Sequence, residues 1–349
     1  MENAMSKRIG RQTPTTSVSI PYVKTFGHDA IKLYEQSKRK AMDWQKMLVY
    51  DILAMDDRGW VHSRYGYEIP RQNGKGEILV IVEAWKLTQG EKIMHTAHRV
   101  NTSHTAWERL CTVLDEAKIE YKSIKQKGAE EIRLEDTGGY IAFRTRSNTG
   151  GLGESFDTLV IDEAQEYTSD QESALKYVVT DSKNPQTLMC GTPPTAVSSG
   201  TVFVSYRKNT MTGKNENSGW AEWSVPELSD ATNPELWYET NPSLGTILTE
   251  RTIRSELGDD KVDDNIQRLG LWLKYNQKSA ISKNEWNSYI LENPPCLTSK
   301  IRLYFGVKYA KNTPNVSLSV AVKTVDGKIF IESLDCRPVR EGNDWIIAY

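Results

Sequence analysis

Several things are scarce in this 349-residue sequence, and each scarcity excludes a class of protein. Cysteine is the first. Cys111, Cys190, Cys296 and Cys336 lie far apart and form no Cys-x-x-Cys pair, so neither a disulfide framework nor a zinc ribbon is expected, and a reducing cytoplasm suits them. Charge of one sign is also missing. The 44 Lys and Arg against 46 Asp and Glu leave a net charge of -2, which excludes a chain that binds nucleic acid by being basic all over; any such contact needs a local groove. Long apolar runs are absent too. The most apolar helical stretch, Ile78 to Trp85, is interrupted by Glu83 and falls far short of the roughly 20 residues that span a membrane. The opening MENAMSKRIGRQTPTTS has no apolar core behind its charges, so it is no secretory signal and reads as a loose polar arm. Neither a tandem repeat nor a low-complexity tract is present. With 38% apolar and 26% charged residues, the chain is too apolar for disorder and long enough for two domains, or one large domain with an appendage.

What is there alternates helix and strand. AMDWQKMLVYDILAM sets Met42, Met47, Leu48, Ile52 and Leu53 on one helical face. A strand over Tyr65 to Ile69, a Gly-containing loop and a helix over Glu77 to Thr88 follow. Next come a strand at Lys92 to Thr96, a helix at Ser103 to Ala117, and a hairpin of Glu131 to Leu134 with Tyr140 to Arg144 around Thr137-Gly138-Gly139. Thr158 to Ile161 reads as a strand buried on both faces. A helix at Gln171 to Val179 and a strand at Gln186 to Cys190 complete an α/β pattern with a mainly parallel sheet. After Thr192 the pattern loosens, and MTGKNENSGW reads as a loop. Helices at Pro234 to Thr240, Leu248 to Leu257 and Val262 to Leu273 suggest a small helical subdomain. Asn293-Pro294-Pro295 then breaks the chain before a meander of Leu303 to Val307, Ser317 to Val322 and Lys328 to Ile331, with Asp326-Gly327 as a tight turn. About 50 residues are few for an independent core, so the sequence reads as part of a longer one.

The most informative segment is YEIPRQNGKGE, residues 67 to 77, between a strand and a helix. A phosphate-binding loop needs that context, because backbone amides wrap the anion and the helix N-terminus adds positive partial charge. Gly74 allows close backbone approach, and Lys75 is placed to reach the β- and γ-phosphates. The spacing departs from G-x-x-x-x-G-K-[ST] at both ends: Ile69 stands for the first Gly, and Gly76 for the hydroxyl that would hold Mg²⁺. A polar turn opening a helix would explain Gly-Lys alone. DTLVIDEAQEY, residues 157 to 167, adds an apolar strand that ends in Asp162-Glu163, at the edge where open α/β sheets bind ligands. Asp162 can hold hydrated Mg²⁺ and Glu163 can orient the attacking water. A helix cap after a buried strand is the plainer alternative.

Together these segments resemble the large terminase subunit of tailed bacteriophages, the ATP-driven motor that packages DNA into procapsids. PRQNGKGE is similar to that family's deviant phosphate loop, with Arg71 as its early arginine, and LVIDEAQ is similar to its acidic strand. The resemblance implies ATP and Mg²⁺ as cofactors, Arg71 and Lys75 on the phosphates, and Gln72, Asn73, Gly74, Gly76 and Glu77 in the nucleotide loop. MCGTPPT resembles the coupling motif, with Thr192 as its polar contact, though Gly191 to Pro194 also suits a plain turn. MDWQKMLVYDIL resembles the adenine-recognition motif, with Gln45 on the adenine edge and Trp44 beside it; an exposed helix residue and a core anchor are the alternatives. The family implies an arginine given to a neighbouring subunit, for which Arg144 and Arg146 are candidates beside the reading of a solvated hairpin end. Gly150-Gly151-Leu152-Gly153 suggests a flexible loop there. HTAHRVNTSH invites a metal at His95, His98 and His104, but no carboxylate or cysteine completes a set at the usual spacing.

The resemblance thus implies an N-terminal lead-in at 1–40, a P-loop ATPase core at 41–215, a helical lid or linker at 216–298, and the start of an RNase H-like nuclease domain at 299–349. IRLYFGVKYAKN resembles that domain's first strand, where the family has an acid after Gly-Val and this chain has Lys308 after Gly306-Val307. A lysine repels Mg²⁺, and with Glu332 and Asp335 near the third strand no competent nuclease centre is expected. Implied partners are double-stranded viral DNA, the portal of a procapsid, a small terminase subunit and further copies of the chain in a ring. The implied location is the host cytoplasm, with no membrane. The rival readings are a degenerate nucleotide-binding scaffold, which Gly76 favours, a helicase-like DNA translocase, and a plain nuclease, which Lys308 argues against.

Overall fold

In a computed structural model of the chain, which describes residues 8–146, 154–195, 198, 200–273, 289–291, 302–309, 315–324 and 327–338, the apolar run Thr158–Ile161 is buried at every position. Such a strand needs a neighbour on each side and a cover on each face. In chain order the elements that surround it are β1 (Thr16–Val18), β2 (Lys24–Thr25), α1 (Gly27–Glu35), α2 (Asp43–Ile52), β3 (Ala54–Asp56), β4 (Gly59–Trp60), β5 (Arg64–Glu68), α3 (Gly76–Thr88), β6 (Lys92–Ala97), α4 (Val100–Glu116), β7 (Lys122–Ile124), β8 (Glu131–Arg133), β9 (Tyr140–Thr145) and the run itself, β10. A short 3₁₀ turn at Ala164–Glu166 leads on to α5 (Ser169–Leu175), β11 (Gln186–Gly191), α6 (Val202–Met211), β12 (Ser218–Glu222), α7 (Pro234–Thr240), α8 (Glu250–Glu256) and α9 (Lys261–Leu269).

Nine strands form one sheet in the order β1-β12-β5-β11-β10-β6-β9-β8-β7. The six from β12 to β9 are parallel, and antiparallel β1 and the β8–β7 pair close the edges. The fold is α/β with a mainly parallel sheet. Alternate residues of each strand point to opposite faces, and two cores result. Trp44 and Leu48 of α2, Ile78 and Val82 of α3, and Leu110 of α4 cover the face that carries Val160 and Leu188. Phe203 and Tyr206 of α6 and Leu175 of α5 cover the face that carries Leu159, Ile161 and Met189. After β5 the chain passes through α3 to β6, and β11 and β10 later fill the gap between them. That reversal opens a crevice at the carboxyl ends of these strands, where ligands bind in open sheets.

The chain divides into two compact units, Met1–Lys278 and Ser279–Tyr349. In the first, Val225, Trp237, Leu244, Ile253, Ile266 and Leu269 form a third core among α7, α8 and α9. Side-chain caps start these helices: Asn233 accepts from the Glu235 amide, Thr249 from Thr252, and Asp260 from Val262 and Asp263. In the second unit β13 (Leu303–Tyr309), β14 (Asn315–Lys323) and β15 (Ile329–Pro338) form an antiparallel meander.

The structure departs from the sequence expectations after Thr192 and at the start. MTGKNENSGW is not all loop: its end is β12, paired in parallel with β5, and α6 precedes it. Residues 8–18 are no loose arm. The Gly10 and Arg11 amides donate to Leu244 and Tyr238 carbonyls at 2.8 Å, and β1 covers the edge of β12. The sheet thus draws strands from outside the 41–215 span expected for the core. The glycine run 150–153, the Asn293-Pro294-Pro295 break and Asp326 of the meander turn lie outside the described residues.

Candidate functional site

Tyr67 and Glu68 end β5, and the seven residues at 69–75 turn over the sheet edge into α3. Gln72 and Gly74 both take positive φ, 63° and 82°, so the loop folds back in the left-handed region that glycine adopts without strain. Among the described residues the amides of Gln72, Asn73, Gly74 and Lys75 donate to no other group of the chain. Unpaired amides beside a helix N-terminus form an anion cradle. The Lys75 carbonyl accepts from the Tyr67 hydroxyl at 3.1 Å. Among the described residues the Lys75 ammonium and the Arg71 guanidinium have no ion pair or hydrogen bond.

Across the crevice β10 ends in the two acids. Asp162 Oδ1 accepts from the Glu163 amide at 2.8 Å and from Cys190 Sγ at 3.0 Å. Burial and then the Asp162 charge push the Cys190 thiol well up, and Lys75 opposes them. Lys75 and Asp162 therefore act on one thiol from the same end of the sheet. Glu163 sits at φ 52°, ψ 51°, a strained conformation for a residue with a Cβ, and its Oε2 accepts from Thr102 Oγ1 of α4 at 3.4 Å. Asp162, Gly76, Glu83, His95, Thr102 and Arg109 line a cleft of about 280 Å³ between α3 and α4. One carboxylate plus substrate phosphates suffices for Mg²⁺, so Asp162 fits that ion, but Gly76 offers it no hydroxyl.

Other residues singled out from the sequence are engaged within the chain. Asn73 is buried and donates to Asn241 Oδ1 at 2.9 Å, while its own Oδ1 accepts from the Ser243 amide at 3.0 Å. Gln72 Oε1 accepts from Arg268 at 3.3 Å, and Arg268 also reaches the Arg71 carbonyl. The Glu77 carboxylate turns to Tyr34 at 2.7 Å and Arg39 at 3.3 Å. Buried Gln45 accepts from the Met42 amide, with its Nε2 at 3.5 Å from the Gly74 carbonyl. Trp44 is fully buried, edge-on to Trp223. The Thr192 amide meets Gln165 Oε1 at 3.4 Å, which ties the end of β11 to the acidic turn.

The two arginines before β10 do not project outward. Arg146 is buried, and its guanidinium donates to the carbonyls of Thr96, Asp162 and Glu163 at 3.2, 2.5 and 3.0 Å. Arg144 pairs with Glu131 at 2.7 Å. His95 and His104 meet Glu83 and Glu130 at 2.6 and 2.7 Å, and no group of three or more potential ligands that could hold a metal occurs among the described residues.

Two features had no signal in the sequence. Arg109 reaches Gly76 only because α4 packs on α3. Glu68, fully buried at the end of β5, has no hydrogen-bond partner of good geometry for either oxygen among the described residues. Burial and neighbouring Glu222 push its carboxyl well up, against Arg207 and Lys75. In the second unit Lys308 lies opposite Ser317 on β14, and Asp335 is held below the usual carboxylate range, chiefly by Arg337. No described helix is long and apolar enough to cross a membrane.

No protein-family model matches the sequence, and no curated protein matches it either. Solved structures do. The large terminase of bacteriophage HK97 superposes with a TM-score of 0.59 at 16% identity, over 89% of this chain and 67% of that one. The large terminase of a thermophilic bacteriophage, in complex with ADP, gives 0.43 at 10% identity, over 81% and 65%. The ATPase domain of the Thermus phage P74-26 large terminase gives 0.39 at 16% identity, over 50% and 72%. The chain therefore shares the fold of a bacteriophage large terminase.

Proposed function

We propose that this chain binds and hydrolyses ATP as the motor subunit of a phage DNA-packaging machine. The observation that carries the reading is the loop at 72–75, whose amides and Lys75 ammonium are unpaired at the same sheet end as Asp162 and Glu163. The unpaired amides and Lys75 bind the β- and γ-phosphates, and Arg71 adds charge at the loop's outer side. Asp162 is the protein ligand for Mg²⁺, which when bound neutralises charge on the phosphates. Glu163 takes the proton of the attacking water, and the Thr102 hydroxyl steadies its carboxylate. Gln165 passes the state of the acidic turn to Thr192. Asn73, Gln72 and Arg71 connect the loop to the segment at 241–268, so a phosphate-driven shift of the loop moves the helical segment. Arg146 holds the ends of β6 and β10 within its own subunit.

The motif resemblance and the shared fold support the wider assignment. Double-stranded viral DNA is the track, a procapsid portal the seat, a small terminase subunit the loader, and a ring of copies the working form, in the host cytoplasm. The spans 1–40, 41–215, 216–298 and 299–349 serve as lead-in, ATPase core, lid and nuclease start, and the last, with Lys308 in place of an acid, does not cut DNA.

DNA-stimulated ATP hydrolysis and nucleotide binding by the intact chain test this reading. Lys75→Ala should lose binding, and Glu163→Gln should bind nucleotide without turnover. Unchanged binding by Lys75→Ala overturns it. The absent hydroxyl at Gly76 favours one second reading, a nucleotide-binding scaffold, which would bind ATP without turnover even in the wild-type chain.

A further inference from the structure

A cation left unpaired in a cleft calls for an anion, and the cleft between α3 and α4 holds one such cation that no motif announces. Arg109 lies on the face of α4 that also carries Thr102, since residues seven apart share a helical face. Through Thr102 that face meets Glu163. Nη1 of Arg109 stands 3.0 Å from the point a Cβ on Gly76 would occupy. Its guanidinium therefore fills the space beside the first turn of α3 in which the missing Ser or Thr side chain would lie. Among the described residues Arg109 has neither an ion pair nor a hydrogen bond. The same cleft is floored by two buried atoms without partners among the described residues, Glu83 Oε2 and His95 Nε2, on side chains that are each 1% exposed. Buried polar atoms are nearly always satisfied by a hydrogen bond, so the floor of the cleft suits a polar guest.

We infer that Arg109 is a phosphate-binding residue acting within its own subunit, and that Gly76 and Arg109 form a matched pair. This rests on the reading of the loop as a nucleoside triphosphate site and names the group that compensates for its departure from the usual spacing. A planar guanidinium can give two parallel hydrogen bonds to phosphate oxygens. Set at the helix N-terminus and beside the buried floor, it works in a medium where charge pairs are stronger than in water. The terminal phosphates are then gripped from two sides, by the loop with Lys75 and by Arg109 from α4. A serine at 76 would both offer the metal a hydroxyl and crowd the guanidinium, which must shift to make room.

Equilibrium titration of the full chain with ATPγS, in Mg²⁺ and in EDTA, tests the pair. Arg109→Gln should weaken binding by roughly tenfold or more, the scale of a lost charge-assisted contact, with the unfolding temperature unchanged. The loss should be larger in EDTA, where the arginine is the main charge opposing the loop. Arg109→Lys, which keeps the charge without the fork, should recover part of the affinity. Gly76→Ser should weaken binding in EDTA by displacing the guanidinium. In Arg109→Gln it should instead restore binding in Mg²⁺. If Arg109→Gln binds as wild type while Lys75→Ala loses binding, the arginine assignment fails and the nucleotide site stands. If Lys75→Ala also binds as wild type, both fail.

Discussion

Asn73 and Asn241 meet at 2.9 Å, a contact between residues 168 positions apart that joins the loop between β5 and α3 to the helical segment. The Asn73 side chain also takes the Ser243 amide and donates to the Pro70 and Arg71 carbonyls. It works as a staple, so the loop's shape depends on a segment far along the chain. Asn73→Ala leaves a buried amide and a buried carboxamide unmatched, which costs about 1–3 kcal/mol. Urea unfolding should show that loss, and titration with ATPγS should show weaker binding, because the cradle is no longer preorganised. Binding at wild-type strength in a destabilised variant would show that the staple serves folding alone.

Arg146 invites a different test, because its position contrasts with what the resemblance implies for an arginine in this segment. Its guanidinium is engaged with three carbonyls of the subunit's own β6 and β10 ends. Arg146→Ala should cost about 3 kcal/mol, the upper range for hydrogen bonds to a charged group, and should abolish turnover by loosening Asp162 and Glu163. Mixing Arg146→Ala subunits with Glu163→Gln subunits should restore nothing. Restored ATP hydrolysis in the mixture would place the arginine in a neighbour's site and sink the in-subunit role.

The contrast shows what a sequence displays and what it hides. The helix α3 and the strand β10 were legible because each is a local apolar run, and Lys75, Asp162 and Glu163 stand out as candidates because they sit at the ends of those runs. The hairpin β8–β9 was legible from its Gly-Gly turn. β12 was not: Ser218, Gly219 and Ala221 carry no strand pattern, and the segment is a strand only because β5 lies beside it. Residues 8–18 are ordered by partners more than 200 positions away. Asn73 and Glu77 looked like nucleotide ligands because they sit in the loop, yet Asn241, Tyr34 and Arg39 claim their side chains. Arg109 was invisible for the converse reason, since only tertiary packing brings it to Gly76.

Glu68 makes stability fall with rising pH. Its carboxyl titrates well above the ordinary carboxylate range because it is fully buried and faces Glu222. Between the unfolded and folded pKa values the native state holds more protons than the unfolded state, so stability drops as pH rises through that window, by about 1.4 kcal/mol for each unit crossed. Below the unfolded value the effect vanishes. Glu68→Gln copies the protonated shape and removes the slope. Thermal unfolding from pH 5 upward should show the variant and the wild type close together at the acid end, with the variant increasingly ahead above it. Parallel curves would mean that Glu68 is not the buried acid described.

The last prediction concerns the left-handed turn at Glu163. With φ at 52°, a side chain there carries roughly 1–2 kcal/mol of local strain. The strand end is held in that state by the Arg146 donor on the Glu163 carbonyl and by the Asp162 carboxylate on its amide. The turn aims the acid at Thr102, which lines the cleft, a direction the extended strand would not give it. Glu163→Gly relieves the strain but loosens the unfolded chain by about 0.5–1 kcal/mol, so its stability should equal or slightly exceed that of Glu163→Gln, which keeps the strain. Both should bind nucleotide, and neither should turn it over. Denaturant midpoints compared between these two variants isolate the backbone term, because both lack the carboxylate. A glycine variant more than about 1 kcal/mol less stable than the glutamine variant would mean that the turn is relaxed, and that position 163 is set by its side-chain contacts rather than by the constraint at the end of β10.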